Sequence, residues 1–125
     1  MDKMTKTRKN KKLNSQQIVE LIGQAAEAIK ALDLKVLDVR KTSNIVDYMI
    51  ICSGESGPQL RAIEKEIDKI LRNNKIKSFR WQGLVKSGWL VLDLGAIVVH
   101  IMGVEERAYY NLEELWGKEA VVYHY

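Results

Sequence analysis

Cysteine occurs once in the 125 residues, as Cys52. A single thiol makes neither an internal disulfide nor a four-cysteine zinc site, so no extracellular staple or structural metal is expected, and a reducing cytoplasmic setting follows. Histidine occurs only as His100 and His124, and neither an Asp-x-Asp nor a Glu-x-x-His spacing is present, so no metal-ligand set can be read from the chain. No apolar run approaches the ~20 residues of a bilayer span, and the N-terminus has no apolar stretch to serve as a signal-peptide core. Neither a membrane nor a secreted protein is expected. Internal repeats and low-complexity segments are also lacking. What is present is 46% apolar and 29% charged residues with one Pro and eight Gly, the composition of one ordinary globular domain rather than a multidomain enzyme.

The net charge of +4 is unevenly distributed. Residues 1–14 carry six Lys and Arg against Asp2, residues 15–86 are mildly basic, and residues 87–125 have Arg107 and Lys118 against six carboxylates. The first segment has no hydrophobic periodicity and almost nothing to bury, which predicts a disordered basic tail over residues 1–13 and a domain over residues 14–125. Such a tail either makes sequence-independent contacts with RNA phosphates or solubilises the chain.

Asn14 or Ser15 can cap a helix whose apolar face runs through Ile18, Leu21, Ile22, Ala25, Ala28, Ile29 and Leu32. A strand is expected at Val36–Val39, and Tyr48-Met49-Ile50-Ile51-Cys52, apolar without alternation, suits a strand covered on both faces. The turn Ser53-Gly54-Glu55-Ser56-Gly57 leads to Pro58 in the first turn of a helix with Leu60, Ile63, Ile67, Ile70 and Leu71 as its buried stripe. Further strands are expected at Ser78–Trp81, Trp89–Leu94 and Ile97–Met102, the last two as a hairpin. A short helix over Asn111–Trp116, capped by Asn111 and closed by Gly117, and an edge strand at Val121–Tyr123 complete the chain. The order predicts an α/β (α+β) domain with a mixed sheet of about five strands flanked by helices.

Signals for chemistry are weak. The Ser53–Gly57 turn could hold an anion at a helix start, but it lacks the Lys of a P-loop and the spacing of a dinucleotide turn, and an ordinary strand-to-helix turn explains it better. His100 has Asp93 on the preceding strand as a conceivable acid–base partner across the hairpin, yet no nucleophile is identifiable, and a structural or interface histidine is the stronger reading. Cys52 reads as a core residue. The aromatic distribution says more: six of nine aromatics, Trp89, Tyr109, Tyr110, Trp116, Tyr123 and Tyr125, fall in the acidic stretch. Nucleic-acid platforms interleave aromatics with Lys and Arg; aromatics among carboxylates fit a surface for a basic protein.

Several segments together carry a family resemblance. Asp47–Ser56, Gly83, Gly88-Trp89-Leu90-Val91-Leu92-Asp93-Leu94-Gly95, Val98-Val99-His100-Ile101-Met102 and Arg107-Ala108-Tyr109-Tyr110-Asn111-Leu112-Glu113-Glu114-Leu115-Trp116 resemble the ribosomal silencing factor family, also called RsfS or Iojap-like, in order from about Gln16 to Trp116. The resemblance implies a nucleotidyltransferase-like fold, a homodimer, and binding to ribosomal protein L-fourteen on the large ribosomal subunit, where it keeps the small subunit away and represses translation. It implies no catalytic activity and no cofactor. Carried over position by position, the partner-binding residues are Trp89, Asp93, His100, Tyr110 and Glu113, supported by Arg107 and Trp116. Three positions depart from the family pattern: Glu55 replaces the usual Thr, and Gln82 and Ala96 replace usual acids, which reduces the negative charge offered to a basic partner. The other class of function is a nucleotidyltransferase-like or hydrolytic enzyme using the Ser53-Gly54 turn.

Overall fold

The computed structural model describes residues 13–116 and 121–124. Helix α1 (Ser15–Ala28) begins at Asn14, whose side chain accepts from the Gln17 amide while the Gln17 side chain accepts from the Asn14 amide, a reciprocal capping box. The chain then enters β1 (Leu32–Asp38), turns into β2 (Tyr48–Gly54), and crosses through α2 (Gly57–Asn73). Strands β3 (Arg80–Leu84), β4 (Trp89–Asp93) and β5 (Ile97–Gly103) follow, the first two joined by a 3-10 turn at Val85–Ser87. Helices α3 (Val104–Tyr110) and α4 (Leu112–Trp116) lead to β6 (Val121–His124).

The strands form one sheet in the order β3-β4-β5-β2-β1-β6. All neighbours are antiparallel except β2 and β5, which run parallel with Tyr48 opposite Ile97 and Gly54 opposite Gly103. A parallel pair needs a long crossover, and here it contains α2. Every residue of β2 is buried, the consequence of its central place and the reason its apolar residues do not alternate.

Strict side-chain alternation divides the sheet into two faces. On one, Leu34, Val36, Tyr48, Ile50, Cys52, Leu90, Leu92, Ile97, Val99 and Ile101 meet Ile22, Ala25 and Ala26 of α1 and Leu60, Ile63, Ile67 and Leu71 of α2 in the main core. Burial of each large side chain here is worth about 1.5–3 kcal/mol. On the other, Leu37, Met49 and Ile51 from β1 and β2, with Val39, pack against Leu112 and Trp116 of α4. Among the described residues the cover over β3, β4 and the outward side of β5 is confined to α3 beside the end of β5, where Met102 is fully buried; Leu84 is 64% exposed and Trp89, Val91, Asp93, Val98 and His100 are only partly buried.

The mixed α/β class stands, and the edge strand expected at Val121–Tyr123 is present, residues 121–124 pairing with β1 to give a six-stranded sheet. Four sequence expectations are corrected. Leu32 belongs to β1, since α1 ends at Ala28 and Lys30 takes a positive φ of 61°. Ser53 and Gly54 lie inside β2 rather than in the turn, and Ser56 is the α2 cap, accepting from the Gln59 amide. The strand placed at Ser78–Trp81 is Arg80–Leu84, paired from Arg80↔Asp93 to Leu84↔Trp89. It runs through Gly83, at φ +90°, where an added Cβ would stand 2.3 Å from the Trp89 carbonyl oxygen, so glycine is required within the strand rather than at its end. Finally, Asn111 does not cap α4 from an extended conformation: it is left-handed at φ 48° and closes α3, a helix the sequence pattern did not disclose. The proposed tail, apart from Leu13, and the closing Gly117 lie outside the described residues.

Candidate protein-binding site

Trp89 opens β4 on the outward face of the sheet, opposite Leu84 of β3 and Met102 of β5. Its indole Nε1–H donates to His100 Nδ1 at 3.0 Å, and the two ring centroids lie 5.9 Å apart. Tyr110, at the end of α3, stands 4.7 Å from the indole in a tilted arrangement, and Tyr109 meets Tyr110 edge-on at 5.0 Å. Such tilted and edge contacts are favoured by the ring quadrupoles. The result is a continuous run of four aromatic rings along one border of the open face, with Tyr109 81% and Tyr110 51% exposed.

Burial pushes the His100 ring down from 6.5 to about 4, so it is neutral near pH 7. Because Nδ1 accepts the indole proton, the neutral ring carries its own proton on Nε2. The conceivable His100–Asp93 acid–base pair, the weaker of the two sequence readings, does not form. Across the hairpin His100 faces Val91 and Asp93 faces Val98, and Asp93 Oδ1 instead accepts from the Gly95 amide at 2.8 Å, bracing the β4–β5 turn. Asp93 and Trp89 share a face but stand four residues apart, about 13 Å along the strand.

Glu113 sits in a separate cluster. Its Oε2 accepts from Arg107 Nη2 at 3.0 Å and from Lys35 Nζ at 3.3 Å. Burial raises its carboxyl, but the Arg107 bond and charge, followed by those of Lys35, outweigh burial and hold it below the usual range. Arg107 is 7% exposed and also donates to Ser53 Oγ at 3.2 Å and to the Leu32 carbonyl at 3.4 Å, with Asp33 3.5 Å away. One guanidinium thereby ties α3 to β1, β2 and the start of α4. Trp116 packs beside it on the Leu37–Met49–Ile51 cluster.

The residues singled out from sequence thus separate into three groups: Trp89, His100 and Tyr110 in contact; Glu113 with Arg107 and, on the same short helix, Trp116; and Asp93 alone at the far end of β4. Tyr109, Glu105 and Glu106 were missed as site residues. A signal existed in the four-residue spacings Glu105–Tyr109 and Glu106–Tyr110, which place each pair on one helical face, but it is readable only once α3 is recognised. The enzymatic alternative loses its proposed turn, since Ser53 is buried and its hydroxyl is engaged by Arg107. Burial pushes the Cys52 thiol up to about 12, leaving it protonated and unreactive near neutrality. Among the described residues no group of three or more His, Cys, Asp or Glu is arranged to hold a metal ion, and no helix is long and apolar enough to cross a membrane.

Comparison with known proteins places this surface in a family. A family model described as ribosomal silencing factor during starvation, RsfS, matches residues 12–124. The chain belongs to the RsfS family. A ribosomal silencing factor RsfS from Halalkalibacterium halodurans is 36% identical over 110 residues, covering 88% of this chain and 94% of that protein. The RsfS domain also recurs within longer proteins: one named mitochondrial assembly of ribosomal large subunit protein 1, from Mus musculus, is 32% identical over 108 residues, covering 84% of this chain and 46% of the mouse protein. A crystal structure of a Chromobacterium violaceum protein superposes with a TM-score of 0.80 at 31% identity, covering 84% of this chain and 88% of that one.

Proposed function

We propose that this RsfS-family protein binds the large ribosomal subunit through ribosomal protein L-fourteen, sterically blocks joining of the small subunit and so represses translation, acting in the cytoplasm as a homodimer and without a cofactor. The observation that carries the reading is the largely uncovered half of the sheet: a surface with a connected Trp89–His100–Tyr110 cluster and carboxylates nearby is built for a protein partner of basic character. The family membership and the name of the mouse relative point to the large ribosomal subunit as the source of that partner. Steric occlusion requires affinity and no chemistry. A dissociation constant of ~10 nM corresponds to about 11 kcal/mol, within reach of a standard-sized interface with a few aromatic anchors.

Co-sedimentation with purified large subunits, followed by a subunit-joining assay, tests the reading. The wild-type protein is expected to pellet with large subunits and to lower the yield of joined ribosomes. Failure to pellet, or pelleting without any effect on joining, overturns it. Removing residues 1–12 in the same assay tests the proposed phosphate contacts of the basic tail: if they form, the truncated protein shows a shallower loss of affinity with salt.

A further inference from the structure

Between the first turn of α3 and the start of β4 lies a cavity of about 530 Å³ lined by Ser87, Trp89, Glu105, Glu106, Tyr109 and Tyr110. Three of its six lining residues are aromatic and two are carboxylates. The Glu106 side chain is folded down over backbone that has no Cβ to keep it away: a Cβ at Gly103 would stand 2.2 Å from Glu106 Oε1, and one at Gly88 would stand 2.5 Å from the carboxyl carbon. Packing therefore confines this carboxylate beside the cavity instead of leaving it to sweep through solvent. Lys86 lines the adjoining cavity, yet among the described residues neither Glu105 nor Glu106 has an ion-pair partner, while Glu113, Asp38 and Asp68 each have one. Both carboxylates therefore border the same cavity as the three aromatic rings, and neither is held in an ion pair among the described residues, although Lys86 shares the adjoining cavity with them.

Aromatic faces and carboxylates share one complementary ligand, an organic cation. The ring quadrupole attracts a cation placed over its face, and a carboxylate adds charge-assisted hydrogen bonds. A planar guanidinium satisfies both at once, stacking on a ring while its N–H fork reaches a carboxylate, whereas a spherical ammonium does so less well. Taking the partner to be the basic ribosomal protein proposed above, we infer that this cavity receives the guanidinium of one arginine side chain of that partner, with Trp89 and Tyr110 forming its aromatic wall, Tyr109 its outer rim, and Glu105 and Glu106 its counter-ions. The inward ring of the wall is held in place by His100, whose Nδ1 fixes the indole orientation; His100 is a positioning residue here and does not touch the cation.

The Trp89 indole N–H proton is a direct NMR reporter, because its hydrogen bond to His100 sets its environment. The probe is N-acetyl-arginine methylamide, compared with the corresponding lysine and norleucine amides on the full chain. Saturable shifts of the Trp89 indole signal are expected with the arginine probe, smaller ones with lysine and none with norleucine. The Glu105→Gln/Glu106→Gln double variant, nearly isosteric, is expected to bind the arginine probe roughly five- to tenfold more weakly. Tyr109→Leu, at an exposed position the fold does not depend on, is expected to weaken it about twofold to fivefold. No shift, an equal shift with norleucine, or a double variant that binds like wild type overturns the assignment. Sedimentation with large subunits separates this from the function itself. If Trp89→Ala loses subunit binding but the double Gln variant keeps wild-type affinity and salt dependence, the arginine site is wrong and the binding function stands. If the wild type does not pellet at all, the ribosomal reading is wrong, and the amide titration still decides whether the cavity takes a guanidinium.

Discussion

The two halves of the outward sheet face follow opposite rules. Over β1 and β2, Leu37, Met49 and Ile51 are sealed by Leu112 and Trp116, and the charges at that end are paired, Glu113 lying between Arg107 and Lys35. Over β3, β4 and β5, Leu84, Trp89, Val91 and His100 face outward, with α3 reaching only the Trp89 end through Tyr110, and the nearby Glu105 and Glu106 have no ion pair among the described residues. Both halves belong to one continuous six-stranded sheet, and each presents apolar side chains outward, so strand-forming propensity alone does not separate them. It comes from where the chain spends its covering helix. A sheet half that retains apolar rings and unpaired acids after folding is finished only by another molecule.

Substitutions can break this contrast, and the largest effect belongs to the sealed half. Ile51→Ala, at a fully buried position, is expected to cost about 2–5 kcal/mol of stability by denaturant unfolding, while subunit affinity per folded molecule stays unchanged. Arg107→Met comes next. It leaves Glu113 with only the longer Lys35 contact and Ser53 Oγ without its donor, and should cost about 1–3 kcal/mol; a loss no greater than that of an ordinary surface change would show that the clasp contributes nothing. On the open half the balance reverses: Trp89→Ala is expected to weaken large-subunit binding by about 2–4 kcal/mol in co-sedimentation, with a smaller loss of melting temperature. Unfolding of that variant under conditions where wild type is folded would return Trp89 to the core.

Acid titration sharpens the same contrast, because the two halves respond in different windows. The His100 ring is held below its unfolded value, so the folded state favours the neutral form. Its contribution is complete above about pH 6.5 and is lost as pH falls toward about 4. Glu113 is also depressed, relative to an ordinary value of 4.5, so its contribution is complete above that value and declines only below it. Melting curves from pH 7 to 3 should therefore show His100→Gln flattening the upper part of the acid loss and Glu113→Gln the lower part; interchanged windows would contradict the assignment. The smallest effect is expected for Asp93→Asn, which retains an acceptor for the Gly95 amide and the side-chain volume. It should slow association with isolated L-fourteen protein and reduce its salt dependence while leaving the dissociation rate nearly unchanged.

Most of the fold could be read from sequence where periodicity is long. Helix α2 announced itself through Ser56, Pro58 and a stripe from Leu60 to Leu71, and β2 through an unbroken apolar run. Helix α3 escaped because seven residues give too few turns for a periodic signal, and because Asn111, which closes it, reads equally well as the cap of the helix that follows. The strand placed at Ser78–Trp81 stopped short of Gly83, which the close passage of the Trp89 carbonyl makes a requirement of the strand itself. The aromatic and acidic character of the site was legible as composition. Its division was not: whether a carboxylate stays out of any ion pair among the described residues, as Glu105 and Glu106 do, or is consumed internally, as Glu113 is, depends on the cation that the fold brings alongside. Lys35 lies 78 residues away from Glu113 in the chain, and no spacing rule reaches that far.

The parallel pairing of β2 with β5 has a consequence for synthesis. The central strand Tyr48–Gly54 leaves the ribosome 49 positions ahead of its partner, the offset between Tyr48 and Ile97, and β1 is not flanked on its other side until β6, at the chain's far end, is made. Until β5 is made, β2 can pair only with β1 and its other edge is open, and contacts of such sequence separation form slowly. Aggregation during translation is thus a greater hazard for this chain than instability once folded. A shortened chain ending before Ile97 should be captured by holdase chaperones, whereas one that includes β5 and α3 should escape them.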